Sequence, residues 1–483
     1  MKRKSLGINY IFNTLKTLMG VIFPLITFPY VSRILGPDGL GKVDYAQSVV
    51  SYFVLIASFG IYGYAVREGA RLRDDKEKLN TFCSEILAVN LMTVGIAYVL
   101  FLLVLGLPKF GAYRSLLLLF SISIPLNVIS LDWLYNIFEE YRYITIRSFI
   151  FQLISLGLLF ILVRLPDDYI WYAFILVVSS VGSNILNFIR ARRYIRIRFG
   201  FGSGLKRHLR PMFLIFILNI ASSIYLIMDR TMLGYITEND TEVGLYAAAI
   251  KIHAVVISVM TSLRVIMTPR VAYHMQHDRY EADRLSDFTM KATVLLALPC
   301  AAGIFLLSAR ILSVLAGREY EDAISTLQIL MIDLVFAALN GVMVNMIFIT
   351  RRMDRQASAA VMIGALVNLI SNAVTIPLWG RIGAACSTVV SELAIFLFVC
   401  ICGRKAYQIR RVLKQVLQSA AACVLMAAVV LILRRIGLPD IVSLLICIGA
   451  GALAYLAGLL VMKNDLALYG VKEVRKRIRR RTV

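Results

Sequence analysis

Ile441-Val-Ser-Leu-Leu-Ile-Cys-Ile-Gly-Ala-Gly-Ala-Leu-Ala-Tyr-Leu-Ala-Gly-Leu-Leu-Val-Met462 carries no charged side chain. A helix needs about 20 such residues to cross the hydrocarbon core of a bilayer. In lipid, every backbone N–H and C=O must be satisfied within the protein, which leaves helices or closed barrels. Barrel strands are short and alternate apolar with polar residues. Neither this stretch nor Ala292–Leu307 alternates, so both read as membrane helices. Similar segments recur along the chain. The expected spans are 9–32, 41–66, 82–105, 115–137, 146–164, 170–190, 212–235, 244–267, 289–312, 324–349, 359–378, 384–403, 415–434 and 441–462. The fold class is therefore an all-α polytopic membrane protein of about 14 transmembrane helices. The gaps between spans are too short for a soluble domain.

The chain has 483 residues, 59% of them hydrophobic, and a net charge of +23. In a soluble protein that charge would point to nucleic acid. Here it follows the rule that Lys and Arg collect on the cytoplasmic side of membrane proteins, so no nucleic-acid partner is expected. Roughly 38 of the 52 Lys and Arg fall at the N-terminus, in alternate loops and in the C-terminal tail, and about 11 near the opposite loops. The rich side holds Lys2–Lys4, Arg67–Lys78, Arg190–Arg210, Arg351–Arg355, Arg404–Lys414 and Lys472–Arg481. This puts both termini in the cytoplasm and requires an even number of spans. The tail Arg475–Arg481 is suited to anionic lipid. Met1–Gly7 is basic, but the span after it is full length and lacks a small-residue cleavage site, so it reads as the first membrane helix.

The basic gap Arg190–Pro211 contains Phe199-Gly-Phe-Gly-Ser-Gly204 and reads as a linker between two bundles. The expected organisation is 1–195 (N-lobe), 196–211 (linker), 212–410 (C-lobe), 411–462 (two extra spans) and 463–483 (basic tail). The halves echo each other. Ser32-Arg33-Ile34-Leu35-Gly36 ends the first span and Gly41 opens the next; Asp229-Arg230-Thr231-Met232-Leu233-Gly234 ends the seventh and Gly244 opens the eighth. Repeated halves are a habit of transporters, which rock one bundle against another. The cysteines, Cys83, Cys300, Cys386, Cys400, Cys402, Cys423 and Cys447, lie in or beside apolar spans without zinc-site or disulfide spacing, and read as packing residues.

A charge at mid-bilayer costs on the order of 3 kcal/mol, so it normally faces a wet cavity or a partner. The candidates are Arg33, Lys42, Asp44, Glu85, Asp132, Asp229, Arg230, Lys251, Arg264, Asp333 and Glu392, with Asn219, Asn340, Asn345, Asn368 and Asn372 as polar company. Arg33, Lys42 and Arg230 sit near helix ends, where they either line a cavity or snorkel. Glu85 and Arg264 lie near cytoplasmic ends and are expected to be solvated. Asp229 is adjacent to Arg230, an arrangement that fits a local pair. Asn368 and Asn372 share a helix face, as interhelical hydrogen-bonding residues do. Arg matches phosphate because its fork donates bidentately. The carboxylates bind Na⁺ or H⁺, or balance the cations. There is no G-x-x-x-x-G-K-[ST] loop for ATP and no H-E-x-x-H metal motif. His208, His253, His274 and His277 lie mostly in or near cytoplasmic loops, and no metal site is expected.

Several stretches resemble the oligosaccharide flippases (Wzx type) of the polysaccharide transporter family, within the multidrug/oligosaccharidyl-lipid/polysaccharide exporter superfamily. One runs from Phe28-Pro29-Tyr30-Val31-Ser32-Arg33-Ile34-Leu35-Gly36-Pro37 through Gly41-Lys42-Val43 and Tyr45-Ala46-Gln47-Ser48 to Arg67-Glu68 and Arg73–Lys78. Another is Asp132-Trp133-Leu134-Tyr135 with Glu140-Tyr141-Arg142-Tyr143-Ile144-Thr145-Ile146-Arg147. A third joins Asp229–Gly234, Gly244-Leu245-Tyr246 and Pro269-Arg270, and a looser one runs through Gly364, Asn368, Asn372, Pro377, Gly380, Gly383-Ala384-Ala385, Thr388 and Glu392. Arg264 stands where these proteins are expected to carry glycine, a departure that bears on the eighth span.

The resemblance implies fourteen helices, with two six-helix lobes around a central cavity and two extra C-terminal helices. It implies no enzymatic chemistry and no cofactor. It also implies a substrate: an undecaprenyl-diphosphate-linked oligosaccharide repeat, moved across the bacterial cytoplasmic membrane, with membrane lipid and the polysaccharide polymerase and export machinery as partners. By position, Arg33 and Arg230 match family motif residues. Charge adds Lys42 and Lys251 as substrate-binding or gating candidates, and Asp44, Asp132, Asp229, Asp333, Asn368 and Asn372 as ion-coupling or cavity candidates. Rival readings are a lipid II flippase and a drug/cation antiporter of the same superfamily. The antiporter predicts twelve spans and an acidic cavity.

Overall fold

The computed structural model describes residues 6–196, 203–436, 439–470 and 472. The flexible run expected at 199–204 therefore lies mostly outside the described residues, as does most of the basic tail. The elements that follow are helical, and no strand occurs among the described residues. They are α1 (Leu6–Ser58), α2 (Ile61–Leu72), α3 (Lys76–Leu105), α4 (Arg114–Ser121), α5 (Ser123–Leu126), α6 (Asp132–Ile137), α7 (Tyr141–Leu162) and α8 (Tyr169–Val177). Then come α9 (Asn184–Ala191), α10 (Lys206–Thr237), α11 (Asp240–His277), α12 (Arg279–Leu315), α13 (Ile324–Val342), α14 (Asp354–Cys402), α15 (Leu413–Leu433) and α16 (Asp440–Val461).

Among the described residues, ten helices are long and apolar enough to cross a membrane. Two are about twice one crossing: Phe23–Leu72 with 50 residues and Asp354–Cys402 with 49. Each passes through a glycine bend, at Gly36 (φ 63°, ψ −178°) and Gly380 (φ 53°, ψ −128°). Ten is fewer than the fourteen spans expected: two bends each join a pair of expected spans, the span at 115–137 is interrupted, and the helix over the span expected at 212–235, α10, is not one of the ten. Backbone hydrogen bonding continues through these bends. The span expected at 115–137 is broken into α4, α5 and α6, where Leu131 takes a left-handed conformation, φ 46°.

Elsewhere the caps explain the boundaries. Asp75 accepts from the Lys78 N–H and opens α3 six residues before the expected start of the span, and Asp278 accepts from the Tyr280 and Glu281 N–H groups to open α12. Such side chains satisfy the orphan donors of a first helical turn.

The chain forms two compact units, Met1–Gly244 and Leu245–Val483. In the first, α1 packs on α3, α7 and α10, and α2 on α6. In the second, α13 packs on α12 and α14, and α15 lies against α12 and α16. A core there gathers Met267, Met290, Met343 and Met346 around Val271 and Phe348, where the π-helical stretch Met343–Phe348 distorts the lattice that flexible Met side chains fill. Large apolar side chains such as Leu103, Ile370, Leu453 and Val461 (82% exposed) face outward, as lipid-facing positions do.

Candidate functional site

In the first unit, the bend at Gly36 divides the cationic candidates. Arg33 precedes it and is exposed; Lys42 follows it and is half-buried. The Lys42 Nζ lies 2.6 Å from Asp38 Oδ2 and 5.4 Å from the Tyr169 ring centroid. Two residues on, Asp44 is 3% exposed, and its Oδ1 stands 3.8 Å from Nη1 of Arg230 on α10. The same two helices meet again where the Thr231 hydroxyl donates to Ser48 Oγ at 2.9 Å. Asp229 is buried as well.

Two glycines let the start of α11 touch α1. A Cβ on Gly41 would fall on the Asp240 carbonyl, and one on Gly244 would fall on the Pro37 carbonyl. The contact is reciprocal, each glycine receiving a carbonyl four residues before the other. Beside it, Tyr113 donates to Asp240 Oδ1 at 2.6 Å. Burial, then the Asp240 carboxylate, push the Tyr113 hydroxyl far above its usual range, so it stays a donor.

Two polar networks lie elsewhere in this unit. Asp132 Oδ1 accepts from Arg147 Nη2 at 3.2 Å and from Asn187 Nδ2 at 2.9 Å, tying α6 to α7 and α9. Glu85 departs from the expectation of a solvated carboxylate. It is 9% exposed, and Oε2 meets Arg207 Nη2 at 2.6 Å and His208 Nε2 at 2.8 Å, while the other ring nitrogen of His208 bonds the Tyr64 hydroxyl at 2.8 Å. The cause is the segment Ser203–Leu205 folding onto α3; a Cβ on Gly204 would strike Glu85.

In the second unit, Lys251 is half-buried on α11. His253, two residues on, sits inside α11, away from any loop, and its Nε2 lies 3.0 Å from Asp333 Oδ2 on α13. Asp333 is 1% exposed. Asn340 donates to Glu392 at the carbonyl (2.8 Å) and Oε2 (2.5 Å), and Asn372 donates to Asn368 Oδ1 at 3.1 Å, both amides fully buried in α14. Arg264, expected to be solvated, donates to the Gly341 carbonyl at 3.3 Å beside the π-helical stretch.

The structure thus gathers Lys42, Asp44 and Arg230 around one helix bend and gives Asp132 a network of its own. Lys251, Asp333, Asn368 and Asn372 belong to the second unit. Sequence reasoning missed His208, His253, Arg147 and Arg207. For His253 a signal existed: an ionisable residue inside an apolar run is a functional candidate by default.

The sequence matches the profile of the polysaccharide biosynthesis protein family over residues 6–275. The chain belongs to that family. A second profile, that of lipid II flippase MurJ, matches this family member over residues 144–448. Both fit a polysaccharide transporter of the multidrug/oligosaccharidyl-lipid/polysaccharide exporter superfamily. A protein of Escherichia coli (strain K12) named as an O-antigen transporter is 23% identical over 382 residues, 77% of this chain and 91% of that one. One of the same name from Shigella dysenteriae is 22% identical, covering 78% of this chain and 95% of its own. The fold is shared with a solved lipid II flippase MurJ, in an inward closed conformation, at a TM-score of 0.76 and 17% identity, over 95% of this chain and 99% of that one. An inward-facing multidrug resistance transporter gives 0.58 at 16% identity, over 82% of this chain and 98% of its own.

Proposed function

We propose that this protein flips undecaprenyl-diphosphate-linked oligosaccharide repeat units across the bacterial cytoplasmic membrane by alternating access, for capsule, O-antigen or exopolysaccharide synthesis. The observation that carries the reading is the set of ionisable side chains kept within apolar helices of a polysaccharide biosynthesis family member, among them Lys42, Asp44, Arg230, Lys251 and Asp333. A sugar diphosphate cannot enter hydrocarbon unaided, because its polar groups would lose their water. Lys and Arg within the spans supply the compensating charge, with Arg33, Lys42, Arg230 and Lys251 as diphosphate or gating contacts. Asp44, Asp132, Asp229, Asp333, Asn368 and Asn372 serve ion coupling or line the cavity. In this reading twelve crossings form lobes 1–195 and 212–410, two more follow at 411–462, both termini are cytoplasmic, and a polymerase and export machinery act with the flippase.

The test is complementation of a strain lacking its own oligosaccharide flippase, with expression of each variant checked. Wild type restores surface polysaccharide, while Arg33→Ala, Arg230→Ala and Lys251→Ala do not. Full activity in all three variants discards the cationic path. The matched lipid II flippase profile and the TM-score of 0.76 favour a second reading, a lipid II flippase. Rescue of cell-wall synthesis, without rescue of surface polysaccharide, selects it.

A further inference from the structure

In the second unit, α14 ends at Cys402 and α15 begins at Leu413, so the residues between them mark where two membrane helices meet the bilayer surface. They form a fixed loop. The Gly403 N–H donates to the Val399 carbonyl at 2.8 Å and the Tyr407 N–H to the Gly403 carbonyl at 2.9 Å, and Arg351 donates to the Ala406 carbonyl. Tyr407 anchors the loop from below: it is 5% exposed and its hydroxyl donates to Asp287 Oδ1 at 2.9 Å.

This loop and the start of α15 line an open-sided cavity of about 390 Å³. One wall is apolar, made by Ile409, Val412, Leu413 and Val416; the polar lining is Arg404, Gln408 and Arg410 with the Tyr407 already described. No carboxylate lines it. Three basic residues of the neighbourhood are already paired. Arg351 is committed to Asp283 at 2.5 Å, Lys291 to Asp287 at 2.6 Å and Lys414 to Asp465 at 3.3 Å. The guanidinium groups of Arg404 and Arg410 make no hydrogen bond or ion pair with any described residue, and both residues are exposed. Two unpaired guanidinium forks beside an apolar wall, at membrane-surface depth, match a phosphodiester that carries acyl chains.

We propose that this cavity binds the headgroup of an anionic glycerophospholipid of the surrounding bilayer. Arg404 and Arg410 hold the phosphodiester and Gln408 bonds the glycerol. The first acyl carbons lie along Ile409, Val412, Leu413 and Val416. The site is separate from the charged helix interiors, and the proposal stands whether or not the transport reading does.

The test is native mass spectrometry of the full chain, released from nanodiscs made with phosphatidylglycerol, cardiolipin or phosphatidylcholine. Wild type retains the two anionic lipids and releases phosphatidylcholine. The variant Arg404→Gln/Arg410→Gln weakens retention by about 30-fold, the factor expected for two surface cations. Arg404→Lys/Arg410→Lys keeps most of it, and Arg435→Gln, an exposed cation elsewhere, changes nothing. Equal retention of phosphatidylcholine and phosphatidylglycerol by wild type overturns the proposal without any variant. So does unchanged retention in a monodisperse glutamine variant. Displacement by glycerol phosphate alone assigns the site to a soluble phosphate, and displacement by undecaprenyl phosphate well below the phospholipid concentration assigns it to the transported lipid; either result overturns the assignment to bilayer lipid.

Discussion

Asp44 is almost wholly buried while Arg230 keeps about a quarter of its side chain in the open, and their 3.8 Å separation is loose for an ion pair. The asymmetry sets the outcome of mutation. Removing the guanidinium leaves a buried carboxylate short of its cation, a loss of about 1–3 kcal/mol. Arg230→Gln should therefore lower the melting temperature of the purified protein, and Asp44→Asn/Arg230→Gln should recover part of the loss. A double variant no better than the single one removes the pair from the account. Both residues stood out in the sequence as charges inside apolar runs. Their pairing did not, because periodicity fixes the face of a residue on its own helix and says nothing of the helix that face meets. The same holds for His253 and Asp333. A histidine taken for a loop neighbour by its position in the sequence sits inside α11, because the helix runs uninterrupted to His277.

At the scale of the element, α1 depends on one glycine. At φ 63° and ψ −178°, Gly36 occupies a region essentially closed to residues with a Cβ. Gly36→Ala should cost about 1–3 kcal/mol and reduce folded yield. Gly95→Ala, in α3, where a Cβ would meet nothing within 4 Å, should be neutral or mildly stabilising. Equal melting temperatures for the two variants would remove the bend from the account of stability. The start of α3 carries a pH-dependent element. The Lys78 backbone N–H, then its ammonium, hold the Asp75 carboxyl below its usual range. A depressed folded value means that the cap's contribution is complete above the ordinary aspartate range and fades as pH falls through the folded value. The protection of the first-turn amides of α3, measured against the exchange of an unstructured peptide at the same pH, should fall from about pH 5 to about pH 2, and Asp75→Asn, which still caps, should flatten that response. The apolar core of each span was legible from hydropathy, as for 82–105 inside Lys76–Leu105. The broken segment α4–α6 was not, because composition registers apolar length and misses a left-handed residue such as Leu131.

For the whole molecule, the strongest signal is charge. Roughly 38 of the 52 Lys and Arg lie at the N-terminus, in alternate loops and in the tail. Cationic loops resist translocation against the membrane potential and the anionic inner leaflet, so such an excess selects one orientation. The prediction is that both termini are cytoplasmic. A C-terminal green fluorescent protein fusion should fluoresce, because that reporter folds in the cytoplasm, and an alkaline phosphatase fusion at the same point should be inactive. Fusions after residue 110 or residue 320 should behave oppositely, since both follow segments with few Lys and Arg. A phosphatase-active C-terminal fusion would mean an odd number of crossings. One broken segment such as α4–α6 would then fail to span, leaving thirteen of the fourteen expected crossings.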